Sequence, residues 1–270
     1  MSDLNPQARE MADESMVRNL DAQARAIWPQ EVELFRRYNL SGSLRILDAG
    51  CGPGEITSRL AELFPDAELL GVDVVAAHLE LARRRYARFA PRLRFEQQTV
   101  FGLQVPDDTF DLTVCRHVLH AIPFPGRVVT ELVRVTRPGG RLHLIPEDYG
   151  MLHFQHAALD PTRFWHDAAT AFGEKTNTNL YIGRDVFEIM ATLRLPDISM
   201  DYVVVDTLRV PREIFGSIIE AWRDGYAESI AEYSRFTPEQ AIAHFNQMIG
   251  DIGNPMRYAA WMVPVISARV

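Results

Sequence analysis

The segment LDAGCGPGE at residues 47–55 limits the fold more than any other part of the chain, because an apolar run leads directly into three alternate glycines. Glycine allows the backbone to turn tightly, and it lets a ligand come close to main-chain amides. The residues that follow have the pattern of a helix, whose first amides and dipole favour polar or negative ligand groups. The segment therefore predicts a strand, a ligand-binding loop and a helix in succession, with a nucleotide-like ligand at the loop.

Short β-rich runs alternate with helix-length segments along the rest of the chain. Strands are predicted at residues 45–49, 69–72, 93–97, 110–115, 141–145, 201–206 and 260–268. Helices are predicted at residues 56–63, 75–89, 125–135 and 184–193, with a short one after Arg116. This alternation is typical of a parallel sheet covered by helices on both faces. We therefore expect an α/β fold with a Rossmann-like, doubly wound, seven-stranded and mostly parallel sheet.

Two helical segments lie outside that alternation. Residues 1–42 are predicted to form an N-terminal helical lid, and residues 211–256 a helical insertion that caps the substrate before the last strand. In the insertion, Thr237 precedes Pro238 in the pattern of a helix N-cap followed by a first-turn proline. The cofactor-binding core would then comprise residues 43–210 and 257–270.

The overall charge and hydropathy exclude several classes of partner. Lys and Arg number 28 against 36 Asp and Glu, a net charge of −8, so the field of the protein repels nucleic-acid backbones and anionic lipids. The longest apolar run, residues 259–268, is interrupted by Pro264 and is too short to span a bilayer. We therefore expect neither nucleic acid nor a membrane as partner. The lack of a basic and apolar leader, with only two cysteines, favours a cytoplasmic location.

The residues around the glycine loop indicate which nucleotide it binds. A dinucleotide fingerprint requires glycine where this chain has Glu55, and the charge of Asp48 would repel a pyrophosphate. These two residues argue against a nicotinamide-dependent dehydrogenase. Asp73 lies 19 residues after Gly54, at the end of the second predicted strand, where it can accept hydrogen bonds from both ribose hydroxyls. An adenosine with a cationic tail fits these residues best.

Four motifs resemble those of class I S-adenosylmethionine-dependent methyltransferases that act on small molecules. They are LDAGCGPG at 47–54, GVD at 71–73, DDTFDLTVCRHVLH at 107–120 and RPGGRLHLI at 137–145. The resemblance covers about residues 45–146, and it implies a methyltransferase with S-adenosylmethionine as cofactor. The motifs do not specify the substrate. The sequence CRHV after the fourth strand nevertheless differs from the Asn/Asp-Pro-Pro-aromatic signature of methyltransferases that act on exocyclic base amines.

The resemblance also implies a set of cofactor-binding residues. They are Asp48, Gly50, Cys51, Gly52, Gly54, Asp73, Val74, Thr99, Val100 and Arg116. Asp48 and the glycine loop would surround the methionine end, Asp73 would bind the ribose, and the main chain at Arg116 would meet the ammonium group. Where many relatives have an aspartate for the adenine amino group, this chain has Thr99, whose hydroxyl is a weaker acceptor.

Methyl transfer from a sulfonium is an in-line displacement, which an enzyme can drive by aligning the nucleophile with the methyl carbon in a dry pocket. No metal is required, and we predict none. A general base matters when the nucleophile carries a proton. We predict His117 and Glu147 as catalytic residues, because they follow the fourth and fifth strands, at the edge where open α/β sheets bind ligands. Each has a structural alternative, a hydrogen-bonded histidine and an acid that caps a turn.

The acceptor pocket is predicted to be apolar and fairly large. Trp28, Tyr149 and Trp222 are the predicted substrate-binding residues, since the added segments beside the active-site edge carry large aromatic side chains. Packing in the core is an alternative role for each. The N-terminal helix would pack equally well on a second subunit, which leaves a homodimer open.

The sequence thus predicts an enzyme that moves a methyl group to an oxygen, nitrogen or carbon of a small, hydrophobic or aromatic metabolite. The alternative is a protein that keeps the fold and binds S-adenosylmethionine without methylating anything.

Overall fold

The computed structural model describes residues 4–155 and 157–270, apart from the side chain of Arg9, and these residues form one eight-stranded sheet with helices on both faces. The strands are β1 (Arg45–Ala49), β2 (Glu68–Asp73), β3 (Leu93–Gln97), β4 (Phe110–Arg116), β5 (Thr136–Ile145), β6 (Leu152–Phe154), β7 (Ser199–Asp206) and β8 (Ala259–Arg269). The helices are α1 (Ala8–Met11), α2 (Glu14–Arg37), α3 (Glu55–Leu63), α4 (Ala76–Arg85), α5 (Pro125–Val135), α6 (Pro161–Thr176), α7 (Val186–Thr192), α8 (Arg212–Tyr233) and α9 (Pro238–Gly253).

The sheet is mostly parallel, as predicted. Its order is β3-β2-β1-β4-β5-β8-β6, and β7 also pairs with β8. The first five strands pair in parallel, whereas β8 runs antiparallel to β5, β6 and β7. The chain order reverses between β1 and β4, and the carboxyl ends of these parallel strands meet at one edge. Open α/β sheets bind their ligands at such a switch point.

Two apolar layers cover the central strands. Alternate side chains of β4 point to opposite faces, so Leu112 and Val114 pack with α2, α3 and α4, while Cys115 packs with α5 and α7. Every residue of β4 is buried, which explains its almost continuous apolar sequence.

A third apolar cluster joins the two helical additions to the sheet. It contains side chains from α2, α6, α8 and α9, and from β7 and β8. Trp222 of α8 and Trp261 of β8 lie at its centre, with ring centroids 5.4 Å apart and both side chains buried. Residues 1–3 of the predicted lid lie outside the described residues.

The predicted elements agree closely with the observed ones in the first half of the chain. Strands at 45–49 and 93–97 and the helix at 125–135 are confirmed to the residue. The short helix predicted after Arg116 is wrong, because residues 117–124 form turns in which His117 and Phe124 adopt left-handed φ values of 54° and 56°.

The sequence analysis also missed α6 and β6, so the predicted count of seven strands omits one observed strand. Asp160 and Pro161 were the available signal for α6, since Asp160 caps the helix by accepting hydrogen bonds from the amides of Thr162 and Arg163. Among the helices of the described residues, none is long and apolar enough to cross a membrane.

The predicted N-cap at Thr237 is confirmed, and it can be tested. Its hydroxyl accepts a hydrogen bond from the amide of Gln240, whose side chain accepts one from the Thr237 amide in return. Thr237→Ala should lower the free energy of unfolding by about 1 kcal/mol. Thr237→Ser keeps a hydroxyl at the N-cap and should retain most of that stability. Urea denaturation measures both. Equal stability of the alanine and serine variants would show that this cap does not stabilise α9.

Candidate active site

The loop after β1 is held against the end of β2 by main-chain hydrogen bonds. The amides of Gly50 and Cys51 both donate to the carbonyl oxygen of Val72, at 2.8 and 2.9 Å. Gly50 has a φ of 78°, and a Cβ atom there would lie 2.2 Å from Cγ2 of Val118. Only glycine can adopt this left-handed conformation so close to the Val118 side chain. The turn keeps the loop backbone open toward the carboxyl edge of the sheet.

Asp73 occupies the predicted place at the end of β2. Its two carboxylate oxygens accept hydrogen bonds from the amides of Gly52 and Val75, at 2.9 and 2.8 Å. A carboxylate has about four lone-pair directions, so these two bonds leave acceptor capacity for a ligand. The side chain is half-buried and lines a cavity of about 680 Å³. We name this space the loop cavity.

The loop cavity collects most of the residues predicted for the cofactor. The predicted cofactor-binding residues that line it are Gly50, Gly52, Asp73, Val74, Val100 and Arg116. The catalytic candidate His117 lines it as well. On the other side it is closed by the N-terminal segment, through Asn5, Gln7, Ala8, Met11 and Leu20. The cavity therefore lies between the predicted cofactor loop and the predicted lid.

Asp48 and Cys51 line a smaller cavity beside the loop cavity. The two cavities share the lining residues Gly50, Gly52, Arg116 and His117. The Asp48 side chain is buried, and one oxygen accepts a 2.6 Å hydrogen bond from the hydroxyl of Thr57. Burial raises the pKa of Asp48 to about 6, while the Thr57 hydroxyl and the Arg116 guanidinium act in the opposite direction. A cationic ligand group beside this carboxylate would offset the cost of its burial.

His117 and Glu147, the two predicted catalytic residues, are in direct contact. Nδ1 of His117 lies 2.5 Å from Oε1 of Glu147, and both side chains are buried. Burial raises the pKa of Glu147, but His117 more than compensates and holds that pKa below its usual value. An ionised carboxylate only accepts hydrogen bonds, so Nδ1 carries the proton and Nε2 of a neutral His117 is an acceptor. Neither Nε2 nor the second Glu147 oxygen has a hydrogen-bond partner in the described structure.

His120 has no such partnership with Glu147. Burial lowers the pKa of His120 to about 4, which keeps its imidazole neutral, and its ring packs edge-on against Tyr149 with centroids 6.0 Å apart. The pair at positions 117 and 120 therefore has unequal roles. Only His117 combines an oriented ring with a free acceptor nitrogen at the cavity wall.

A second, aromatic cavity of about 400 Å³ is lined by two of the three predicted substrate residues, Tyr149 and Trp222. Its other walls are the side chains of Gln7, Trp165, Ala168, Ala169, Phe172, Leu180, Tyr226, Ile230 and Phe245. None of these lining side chains carries a formal charge at neutral pH. Gln7 lines this aromatic cavity and the loop cavity, so the two spaces share one wall.

Four predicted site residues are absent from these cavity walls: Glu147, which contacts His117, and Gly54, Thr99 and Trp28. A Cβ at Gly54 would meet Phe95 at 2.9 Å, so this glycine allows helix and strand to pack closely. The Thr99 hydroxyl accepts from the amide of Phe101 at 3.3 Å, and its neighbour Gln98 lines the loop cavity instead. Trp28 packs near Phe35, with ring centroids 5.8 Å apart.

Sequence reasoning missed Glu31, which reaches the site from α2. Its Oε1 lies 2.9 Å from Nε of Arg116 and 3.0 Å from Nε2 of His143, and its side chain is fully buried. Burial raises the pKa of Glu31, but Arg116 and His143 together hold it below its usual value. The spacing of Leu20, Gln23 and Glu31 on one face of α2 was the available signal, since the first two line the cavities.

No group of three or more His, Cys, Asp or Glu side chains within the described residues could hold a metal ion. His153 and His156 have the three-residue spacing of metal-binding histidines on a helix, but His156 lies outside the described residues.

Comparisons with known proteins place the chain in a family. The model of a family described as a methyltransferase domain matches residues 40–179. A trans-aconitate 2-methyltransferase from Methylobacterium nodulans is 36% identical over 110 residues, which is 41% of each chain. The chain spans about half the length, or less, of the curated relatives that it matches.

Solved structures share the fold at low sequence identity. A phosphoethanolamine N-methyltransferase 2 from Haemonchus contortus, in complex with S-adenosyl-L-methionine, has a TM-score of 0.57 and 17% identity, over 90% of this chain and 52% of that one. The [4+2]-cyclase SpnF has a TM-score of 0.55 and 19% identity, over 94% of this chain and 80% of that one.

The raised pKa of Asp48 predicts a pH-dependent stability. A folded pKa of about 6 lies above the unfolded value of 3.8, so the folded state binds the proton more tightly. The protonated form favours folding, and this contribution is lost as the pH rises from about 4 to 6, by at most about 3 kcal/mol. Asp48→Asn keeps an acceptor for Thr57 and does not ionise. Its free energy of unfolding should therefore rise relative to wild type between pH 4 and about 7.

Denaturation of both proteins at several pH values measures the difference between their free energies of unfolding. The contributions of the other titrating groups are the same in both proteins, so they cancel in this difference. A difference that stays constant across this range would mean that Asp48 is ionised in the folded protein with an ordinary pKa.

Proposed function

The chain belongs to the methyltransferase domain family, and we propose that it transfers a methyl group from S-adenosylmethionine to an oxygen of a small, uncharged, hydrophobic or aromatic acceptor. The observation that carries this proposal is the position of the His117–Glu147 pair. His117 lines the loop cavity, which has a nucleoside-type carboxylate. Its ring packs near Trp261, which in turn packs on Trp222 in the wall of the uncharged aromatic cavity.

The residues of the loop cavity fit the proposed cofactor. Asp73 has acceptor capacity for two ribose hydroxyls, and Val74 and Val100 supply apolar wall for an adenine ring. Gln98, with an amide that both donates and accepts, is the better candidate than Thr99 for the edge of the adenine. The buried Asp48 carboxylate favours a cationic methionine end. S-adenosylmethionine supplies an electrophilic methyl group when it is bound there.

The His117–Glu147 pair favours oxygen among the possible acceptor atoms. An alcohol or phenol must lose its proton as the new bond forms, and Nε2 of His117 is positioned to accept it. Glu147 orients the ring and stabilises the imidazolium that results. An amine that arrives deprotonated, or an already activated carbon, has less need of such a base.

The composition of the aromatic cavity favours an uncharged acceptor. Rings from Tyr149, Trp165 and Trp222 pack around it, with centroids between 5.1 and 5.6 Å apart. Such a cavity gains free energy by burying apolar surface and by stacking, and it offers no cation to a phosphate or carboxylate group.

The described residues of the predicted lid and of the predicted insertion, 4–42 and 211–256, would make the acceptor site specific. We assign the first segment as a lid, because Gln7 and Met11 close the loop cavity opposite the glycine loop. We assign the second as an acceptor cap, because Trp222, Tyr226 and Phe245 line the aromatic cavity. A closed site excludes water from the transfer.

A second candidate function is a reaction other than methyl transfer in the same fold. One structural neighbour is named as a [4+2]-cyclase, and the aromatic cavity of this chain would suit an apolar substrate for a reaction other than methyl transfer. Incubation with methyl-labelled S-adenosylmethionine and a panel of small phenols and alcohols distinguishes the two. Label in a product supports methyl transfer. Tight cofactor binding without any labelled product, from the panel or from extracts of the source, would support the second candidate.

Loss of Asp73 should weaken cofactor binding. Asp73→Ala removes the acceptor for the ribose hydroxyls and should reduce the binding free energy of S-adenosylmethionine by about 1 to 3 kcal/mol. Glu68→Ala, at the exposed opposite end of β2, is the matched control and should bind normally. Isothermal titration calorimetry measures both. Unchanged affinity in the Asp73 variant would contradict the proposed cofactor site.

Loss of the catalytic pair should slow the reaction and leave binding nearly intact. His117→Gln and Glu147→Gln should each lower kcat by about 10²- to 10⁴-fold on an identified acceptor, because the proton loses its base or the base loses its orientation. Affinity for S-adenosylhomocysteine should stay within about threefold of wild type. His153→Gln, an exposed histidine on β6, is the control. Wild-type kcat in the His117 variant would rule out the base.

A further inference from the structure

Arg116 is the last residue of β4, and its position follows from the alternation of side chains along that strand. Leu112 and Val114 point to the face covered by α2, and Arg116 continues the same face at the carboxyl edge. There its guanidinium meets Glu31 of α2, with Nε 2.9 Å from Oε1. β4 has one other charged residue, Asp111, which lies at the opposite end of the strand and accepts a hydrogen bond from the amide of Arg45.

The guanidinium is buried but only partly satisfied. Arg116 is 8% exposed, and Nη2 has no hydrogen-bond partner among the described residues. A buried charged donor without an acceptor is costly, and native structures seldom leave one without a reason. The same side chain lines both the loop cavity and the smaller cavity around Asp48. A ligand in these spaces would be its missing acceptor.

One acid and one base at the walls of the two cavities have hydrogen-bonding capacity left for such a ligand. Among the described side chains that line them, Arg116 carries the only permanent positive charge. Of the carboxylates there, Glu55 pairs with Arg85 at 2.9 Å, and Asp73 is bonded to main-chain amides. Asp48 has only a hydroxyl partner, and Arg116, whose Nε meets Glu31, still has Nη2 without a partner. An α-amino acid group, with an ammonium and a carboxylate on one carbon, has the complementary charges.

We propose that the Arg116 side chain binds the carboxylate of the cofactor's methionine moiety, and that Glu31 acts as a positioning residue that holds the guanidinium toward the cavity. This inference rests on the proposed cofactor and adds a side-chain role to the main-chain role of Arg116. A guanidinium presents two N–H groups in one plane, which matches the geometry of a carboxylate.

The position of Arg116 assigns it to the cofactor rather than to the acceptor. It is absent from the walls of the aromatic cavity, and it lines the loop cavity and the cavity around Asp48 together with Gly50 and Gly52 of the cofactor loop. Glu31 also contacts His143, whose second ring nitrogen lies 2.8 Å from the hydroxyl of Tyr38. This buried chain ties the guanidinium to α2, so its orientation depends on how that helix packs.

Two ligands that differ only in the carboxylate test the proposal. S-adenosylhomocysteine has it, and S-adenosyl-3-thiopropylamine keeps the ammonium group but lacks it. Calorimetry on wild type should give tighter binding of S-adenosylhomocysteine. In Arg116→Gln the ratio of the two dissociation constants should fall by about 10-fold or more, through weaker binding of S-adenosylhomocysteine alone.

Two further variants separate this role from a structural one. Arg59→Gln removes another arginine with a buried Nε, on α3 near Trp28 and away from the cavity walls, and should leave the ratio unchanged. If Arg116→Gln folds poorly, the double variant Glu31→Gln with Arg116→Gln takes its place, because it also removes the Glu31 carboxylate that would lose its partner. The double variant should show the same reduced ratio of dissociation constants.

The outcomes distinguish this inference from the proposed function. If Arg116→Gln weakens the binding of both ligands equally, the ratio of their dissociation constants stays unchanged. That result would overturn the role of the Arg116 side chain, while the proposed cofactor would stand. Failure of wild type to bind S-adenosylhomocysteine at all would instead overturn the proposed cofactor.

Discussion

Parallel pairing of β1, β2, β4 and β5 is the constraint on which the rest of the structure depends. Parallel strands end at the same edge, so residues far apart in the chain are brought together there. Asp48 comes from β1, Asp73 from β2, Arg116 from β4 and Glu147 from the residues after β5. The glycine loop keeps that edge accessible, because its backbone turns back to bond with Val72 rather than covering the strand ends.

Bringing so many charges to one buried edge has an electrostatic cost, and the chain compensates it unevenly. Glu31 is paired with Arg116 and His143, and Glu147 with His117, so both stay ionised in spite of complete burial. Asp48 has a hydroxyl partner and a raised pKa of about 6. Nη2 of Arg116 and Nε2 of His117 have no partner in the described structure. The incomplete compensation is concentrated at the cavity walls, where a ligand can complete it.

The sequence predicted the parts of this arrangement that depend on local pattern. β1, β3 and α5 were placed correctly, because glycine and proline bound them and their apolar spacing is regular. Asp48, Gly50 and Gly52 were placed by the motif that surrounds them. Glu31 was not, since its role depends on how α2 packs across β4 and β5, and no local pattern encodes that distance. Trp28, three residues earlier on the same helix, instead packs near Phe35 and the guanidinium of Arg59.

The left-handed turn at His117 shows how a local departure from regular structure places a functional group. A helix directly after β4, as the sequence suggested, would continue with side chains rotating away from the edge at each residue. A φ of 54° at His117 turns the chain instead, while its amide still donates to the carbonyl of Ile145 at 2.8 Å. The imidazole thereby reaches Glu147 and faces the cavity. Positive φ at a residue other than glycine costs about 1 to 3 kcal/mol, and such strain persists where the surrounding contacts hold it. Here the buried contact with Glu147 and the hydrogen bond to β5 hold it, so the geometry of the base is built into the sheet itself.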